Sequence, residues 1–153
     1  MLVPRTLIFL TQGEKVLLLK GADTKRLWAG RYNGVGGHIE QGEDILASAR
    51  RELFEETGVS LPGLWLCGIV TIDTQTNPGV GVFVFKGEYQ ECAPVFSNEG
   101  TLKWIELSEI YNIPLVPDLP LLLPKIFAHQ KGLPPFFAHS EYDESGNILI
   151  NFS

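Results

Sequence analysis

The stretch from Gly37 to Val59, GHIEQGEDILASARRELFEETGV, constrains this chain more than any other part of it. Asp44 to Thr57 reads as a helix, because Ile45, Ala49 and Leu53 recur at i, i+4 and i+8 and form one apolar stripe. Glu43 and Asp44 put negative charge at the positive end of the helix dipole, and Gly58 is the expected left-handed stop. Glu52, Glu55 and Glu56 are spaced i, i+3 and i+4, so their carboxylates share one ridge. Like charges at that spacing destabilise a helix by roughly a few tenths of a kcal/mol. For an isolated acidic cluster, a solvated helix face is the commoner explanation. The spacing becomes useful when a hard divalent cation sits among the carboxylates, since Mg²⁺ takes oxygen ligands and bridges a few carboxylates to substrate phosphates.

The full pattern is G-x5-E-x7-R-E-U-x-E-E-x-G-U, with U apolar, running through Gly37, Glu43, Arg51, Glu52, Leu53, Glu55, Glu56, Gly58 and Val59. It resembles the signature of the Nudix hydrolases at every defined position, over 23 of the 153 residues. The resemblance implies a loop–helix–loop that binds divalent metal and cleaves a nucleoside diphosphate linked to another group. It implies Mg²⁺ as cofactor, with Mn²⁺ able to substitute. Matched position for position, Glu52 and Glu56 are the first-choice metal ligands, Glu55 is a further ligand or the base on the attacking water, and the Gly37 carbonyl also binds metal. Arg51 is expected to orient a carboxylate, Glu43, rather than touch substrate. Many members carry a further catalytic or metal-binding glutamate in a loop outside the signature. Glu99, in NEGTLKWI, stands in such a loop and rivals Glu55 as base.

Outside the signature the chain looks like the branch of MutT-type and mammalian oxidised-purine triphosphatases. GRYNGVGGHIEQGE resembles that branch's loop, including its asparagine, here Asn33. VPDLPLLL resembles the region that supplies purine-reading aspartates. One aspartate, Asp118, stands where the mammalian segment has two, and Val116 replaces a stacking tryptophan. The resemblance therefore implies a nucleoside triphosphate substrate and leaves 8-oxoguanine specificity open. On residue type alone, Asn33 is equally a turn residue and Asp118 a helix cap. Lys25 and Arg26 are the nearest upstream cations to receive phosphate; either one alone reads as solvated surface.

Composition narrows the partners. The net charge of −6 gives no electrostatic footprint for binding a nucleic-acid polymer. A small nucleotide must then be received locally, by metal and a few cations. Cys67 and Cys92 have no ligand spacing and read as buried thiols, and His38, His129 and His139 read as structural or surface residues. The start, MLVPRTLIFL, has too short an apolar run for a signal peptide or membrane span, so a cytoplasmic protein is expected; a monomer is favoured, with a homodimer left open.

Taken in order, strands are expected at Thr6–Leu10, Val16–Lys20, Leu64–Ile72, Val80–Phe85 and Leu102–Leu107. Val80–Phe85 is apolar on both faces and reads as central. Trp28–Gly37, with four glycines, reads as a loop that lets backbone approach a ligand closely. Ser108 is expected to cap a helical turn to Asn112. Asp118 is expected to cap a helix to about Gln130, with Pro124 kinking it or shifting its start. Phe136–His139 and Asn147–Phe152 close the chain as a hairpin. The sum is one α+β domain over residues 1–153, an α/β/α sandwich with a mixed sheet, the signature helix on one face and the C-terminal helix on the other. This agrees with the fold that the resemblance implies. ADP-ribose or dinucleoside polyphosphate hydrolases are the first rivals, but the proline or tyrosine those branches often carry past the signature is absent from Thr74–Asn77. A non-catalytic Nudix-like binding module commonly loses signature carboxylates, and here all are present.

Overall fold

The computed structural model describes residues 1–21, 29–90 and 100–153. Strands β1 (Leu2–Gln12) and β2 (Lys15–Gly21) are followed by two short strands, β3 (Tyr32–Asn33) and β4 (Val35–His38). Helix α1 (Ile45–Thr57) leads to β5 (Trp65–Ile72), β6 (Gly79–Glu88) and β7 (Gly100–Glu106). A 3₁₀ segment (Leu107–Asn112), helix α2 (Leu119–Ala128) and the hairpin β8 (Phe136–Tyr142) and β9 (Ile148–Phe152) complete the order.

The strands form one mixed sheet in the order β3-β2-β1-β6-β5-β8-β9, with β4 also on β1 and β7 on β2. β1 runs parallel to β6, and β5 parallel to β8. The central place of β6, between β1 and β5, follows from its apolar residues on both faces. Alternation along each strand sorts the core into two layers. Ile8, Leu10, Leu17 and Phe85 meet Ala49 and Leu53 of α1. Phe9, Val16, Leu18, Val82 and Val84 meet Leu119, Leu122, Leu123 and Ile126 of α2. The α/β/α sandwich expected from the sequence is thus the one observed.

Helix α1 has the expected ends. Asp44 Oδ1 accepts from the Ala47 N–H at 2.8 Å, and Gly58, at φ 75°, donates its N–H to Phe54 O. The closing hairpin is present, its turn held by Asp143 Oδ1, which accepts from the N–H groups of Ser145 and Asn147 at 2.9 Å each. Cys67 is a buried free thiol, while Cys92 lies outside the described residues.

Three local expectations are corrected. The glycine-rich stretch is not loop throughout: its end forms β3 and β4, and β4 pairs with β1 through Thr6↔Gly37 and Leu7↔Gly36. A Cβ on Gly36 would stand 2.0 Å from Thr6 O, so the glycine serves strand contact as well as bending. Ser108 caps nothing; the 3₁₀ segment begins at Leu107 without a side-chain cap. Asp118 does stand at the start of α2, but its own backbone is already α-helical, at φ −82° and ψ −20°, and its side chain makes no capping hydrogen bond. The helix ends at Ala128 rather than Gln130, and Pro124 lies inside it.

These contacts make Gly36→Ala a severe substitution. It should cost at least about 3 kcal/mol, because backbone must move to relieve the clash. Gly63→Ala, whose Cβ would meet nothing within 4 Å, should be near neutral. Denaturant midpoints of the two variants check the contrast.

Candidate active site

Helix α1 presents its carboxylates unequally. The side chain of Glu52 is 13% exposed and that of Glu55 57%. Glu56 is 7% exposed, one position past Glu55 on the helix. Arg51 binds Glu52 and Glu55, together with Glu43, into a unit. Its Nε and Nη2 take the two oxygens of Glu43 at 2.9 and 2.7 Å, a fork-on-fork pair. Its Nη1 reaches Glu52 at 3.0 Å and Glu55 at 3.2 Å, and Nη2 also reaches the His38 carbonyl at 3.2 Å. Glu43 Oε1 accepts from the Glu40 N–H, which fixes the loop ahead of the helix. Arg51 therefore orients carboxylates, Glu43 first, as its position in the sequence suggested. Beside it the Glu43 carboxyl is pulled down to about 2 by the Arg51 guanidinium, then by the Glu40 N–H. The Arg51 pKa is raised in turn, chiefly by Glu43.

Gly37 closes the unit from the strand side. A Cβ there would lie 2.4 Å from Glu52 Oε1, so the carboxylate rests directly on glycine backbone. Among the described residues, the acceptors that Arg51 gathers here are hard oxygens, the Glu43, Glu52 and Glu55 carboxylates and the His38 carbonyl.

A cleft of about 810 Å³ opens against this unit on the α2 side of the sheet. Glu56 and Gly36 line it, and so do Asn33, Val116 and Asp118. These last three come from distant parts of the chain and are drawn together by backbone. The Tyr32 N–H donates to Pro114 O at 2.7 Å, the Val116 N–H donates to Tyr32 O at 3.0 Å, and Arg31 Nη1 donates to Leu115 O at 2.9 Å. Asn33 Oδ1 accepts from the Gly34 N–H at 2.8 Å, so its amide nitrogen remains to donate. The Asp118 carboxyl, unused as a cap, is pushed up by burial.

The structure thus sets Gly37 against Glu52 and places Asn33 and Asp118 in the cleft that Glu56 also lines. Glu55 sits on the exposed flank of α1. Lys25, Arg26 and Glu99 lie outside the described residues. Two lining cations, Arg5 and Arg31, were not picked out by sequence reasoning. Arg5 carries no local signal, because its place depends on the pairing of β1 with β4 and β6. Thr6, 2% exposed, also lines the cleft, with a hydroxyl that makes no hydrogen bond to a described residue.

The histidines stand outside this arrangement. His38 is exposed. His129 is buried between the Trp65 indole N–H at 3.1 Å and Pro134 O at 3.0 Å. His139 bridges Thr71 and Asp73, and Asp73, His139 and Glu141 bring one ligand atom each within 4.8 Å at the β5–β8 edge.

The two displaced carboxyls give opposite pH signatures. Glu43 is lowered from 4.5 to about 2, so its stabilisation is full above about 4.5 and fades as pH falls toward 2. Glu43→Gln should therefore lower Tm at neutral pH, with the gap closing in acid. Asp118 is raised, so whatever its protonated form contributes is present below the ordinary carboxylate range and lost as pH rises through the folded value. Asp118→Asn should gain on wild type as pH climbs from about 4 to 7. Thermal melts across that range test both signs; parallel curves for either variant would show its carboxyl unperturbed.

Comparison with known proteins agrees with this geometry. A model of the NUDIX domain matches residues 1–126. The oxidized purine nucleoside triphosphate hydrolase of Mus musculus is 31% identical over 145 residues, which are 94% of this chain and 89% of that protein. Its Danio rerio namesake is 32% identical over 106 residues, 69% of this chain and 67% of that one. A MutT protein of Bacillus halodurans shares the fold at a TM-score of 0.79 and 24% identity, covering 99% of this chain and 98% of that chain. Proteins of this family act on small nucleotide substrates and generally use a divalent metal. With the signature intact on α1 and the family match running through most of its length, the chain belongs to the Nudix family and is a Nudix hydrolase.

Proposed function

We propose that this Nudix hydrolase converts a purine nucleoside triphosphate, oxidised forms such as 8-oxo-dGTP among them, to the nucleoside monophosphate and pyrophosphate. The observation that carries the reading is the shared cleft. One cavity of about 810 Å³, within the usual size for small-ligand sites, is lined both by Glu56 of the carboxylate unit and by the Asn33 and Asp118 pair. The mouse and zebrafish relatives, both oxidized purine nucleoside triphosphate hydrolases, point the same way.

The residues present fit a hard divalent ion, Mg²⁺ or Mn²⁺, since the Glu52 carboxylate rests on the Gly37 backbone and the donors on this ridge of α1 are carboxylates. Glu52, Glu56 and the Gly37 carbonyl would hold it, with Glu55 and Glu99 as further ligands. When bound, such an ion neutralises charge at the phosphoanhydride and lowers the pKa of its water. The chain's own groups supply the rest. The Glu55 carboxylate accepts a proton from the attacking water, with Glu99 as the rival base. The water oxygen forms a new bond to a phosphorus of the phosphoanhydride as the bridging P–O bond between the monophosphate and pyrophosphate parts breaks, its electron pair staying on the departing oxygen. Arg5 and Arg31 add positive potential to the cleft of an otherwise acidic chain. At the base end Asn33 donates to a purine edge. Asp118 accepts from purine N–H groups or, when its raised pKa keeps it protonated, donates.

A kcat/KM panel over normal and oxidised triphosphates, ADP-ribose and dinucleoside polyphosphates tests the assignment. Activity should vanish in excess EDTA. Glu56→Gln should lower kcat on every substrate on the order of 10²-fold or more. Asn33→Ala and Asp118→Ala should instead cost roughly 5- to 150-fold on the best purine, the worth of one unpaired buried polar group, and flatten the preference over pyrimidines. An unchanged ranking in both variants would reduce the pair to structural residues. ADP-ribose outperforming every triphosphate would sink the substrate assignment and leave the hydrolase chemistry standing. A silent Glu55→Gln beside a crippled Glu99→Gln would reverse the choice of base.

A further inference from the structure

Outside the α1 carboxylates, one other group of metal-ligating side chains comes together among the described residues, where β5 meets β8. Parallel pairing sets it up. Thr71 is in register with His139 and Ile72 with Ser140, and the Asp73 N–H donates to Ser140 O at 2.9 Å. Alternation puts Thr71, His139 and Glu141 on one face of the sheet, while Ile72 packs into the core on the α2 side and Ser140 is buried with it. Asp73, one residue past β5, joins the first face. Asp73, His139 and Glu141 each bring one ligand atom within 4.8 Å of the others.

His139 is held as a metal ligand is held. Thr71 Oγ1 lies 2.7 Å from its Nδ1, and its Nε2 stands 3.2 Å from Asp73 Oδ2. A hydroxyl both donates and accepts, so Thr71 can serve a ring protonated at Nδ1 and leave the Nε2 lone pair free for an ion. Two donors bound to one Zn²⁺ at the tetrahedral angle stand about 3.4 Å apart, from bond lengths of about 2.1 Å. The observed 3.2 Å needs little adjustment to reach that spacing. The Asp73 and Glu141 carboxylates repel one another, and no lysine or arginine among the described residues pairs with any of the three groups. The side chains of His139 and Asp73 are 40% and 59% exposed, so an ion can enter from solvent. One imidazole with two carboxylates also differs in kind from the carboxylates of α1: it suits a zinc-class ion better than Mg²⁺.

We propose that Asp73, His139 and Glu141 form a second metal site, selective for a divalent transition ion such as Zn²⁺, with water on its open position. The site is separate from the phosphoanhydride chemistry and does not rest on the substrate reading. Its effect is to clip β5 to β8 through residues 66 apart in sequence, so occupancy stabilises the fold.

Zinc also enters carboxylate sites, so the test titrates Zn²⁺ into the untagged full chain carrying Glu52→Gln and Glu56→Gln, with Mg²⁺ in excess. Calorimetry should find one zinc bound per chain in this background. Adding His139→Ala should abolish that binding, and adding Glu141→Gln should weaken it by about tenfold or more. Thr71→Val, which only frees the ring, should weaken it by about tenfold. His38→Ala, at an exposed histidine on β4, should leave it unchanged. Zinc should also raise the Tm of the Glu52→Gln, Glu56→Gln protein and leave that of its His139→Ala derivative where it was. Glu141→Gln is nearly isosteric and decides the matter should His139→Ala fail to fold. A Kd weaker than about 1 mM overturns the site. So does zinc binding that keeps its full strength in either His139→Ala or Glu141→Gln. Neither readout involves nucleotide hydrolysis, so the proposed activity stands or falls separately.

Discussion

The two-pronged contact between Arg51 and Glu43 is what the rest of the site depends on. Three carboxylates along one ridge of α1 repel one another, and a helix carrying them would otherwise give up stability for nothing. Arg51 meets this with one guanidinium that reaches Glu43, Glu52 and Glu55 together. It also ties the helix to the preceding loop through the His38 carbonyl, so the loop and the carboxylates move as one piece. A lysine could not do this, because a point charge on a flexible stem cannot occupy two carboxylate oxygens in a fixed plane and still reach a third group.

The sheet turns that local unit into a cleft. Because residues alternate across each strand, the face beneath α1 and the face beneath α2 are built from the same segments. Glu56 looks past the edge of this arrangement into the α2 side. The backbone bonds between Tyr32 and the Pro114–Val116 segment bring the entrance of α2 to the same place. The carboxylates of α1 and the Asn33–Asp118 pair thus arise on opposite layers and approach each other at the β1–β4 margin, where Gly36 and Gly37 leave room.

What could be read from the sequence was what local physics determines. The limits of α1 were legible because Asp44 and Gly58 act on their immediate neighbours, and the apolar stripe has a period. The sandwich was legible because the strands alternate. By contrast, the meaning of Gly36 is a carbonyl on β1, thirty positions back, and no neighbour in sequence announces it. Asp118 has the residue type of a cap, yet its own helical backbone turns the carboxyl away from that task. Glu55 and Glu56 are adjacent and of one residue type, and the rotation of α1 against the sheet buries one and exposes the other. Arg5 escaped notice for the same reason, since register between distant strands decides which way it faces.

The parallel pairing of β1 with β6 has a bearing on synthesis. Leu2 is matched to Gly79 and Thr11 to Glu88, so during synthesis β1 finds this neighbour only after the intervening segment with α1 and β5 has followed. Parallel pairing across so long an intervening segment closes slowly, because the loop entropy must be met before the ladder rewards it. Until then the apolar residues of β1 stay without that side of the sheet, and the β1–β4 margin that frames the carboxylates has only one of its walls. The nascent chain therefore carries its complete signature well before it can hold that signature in working order.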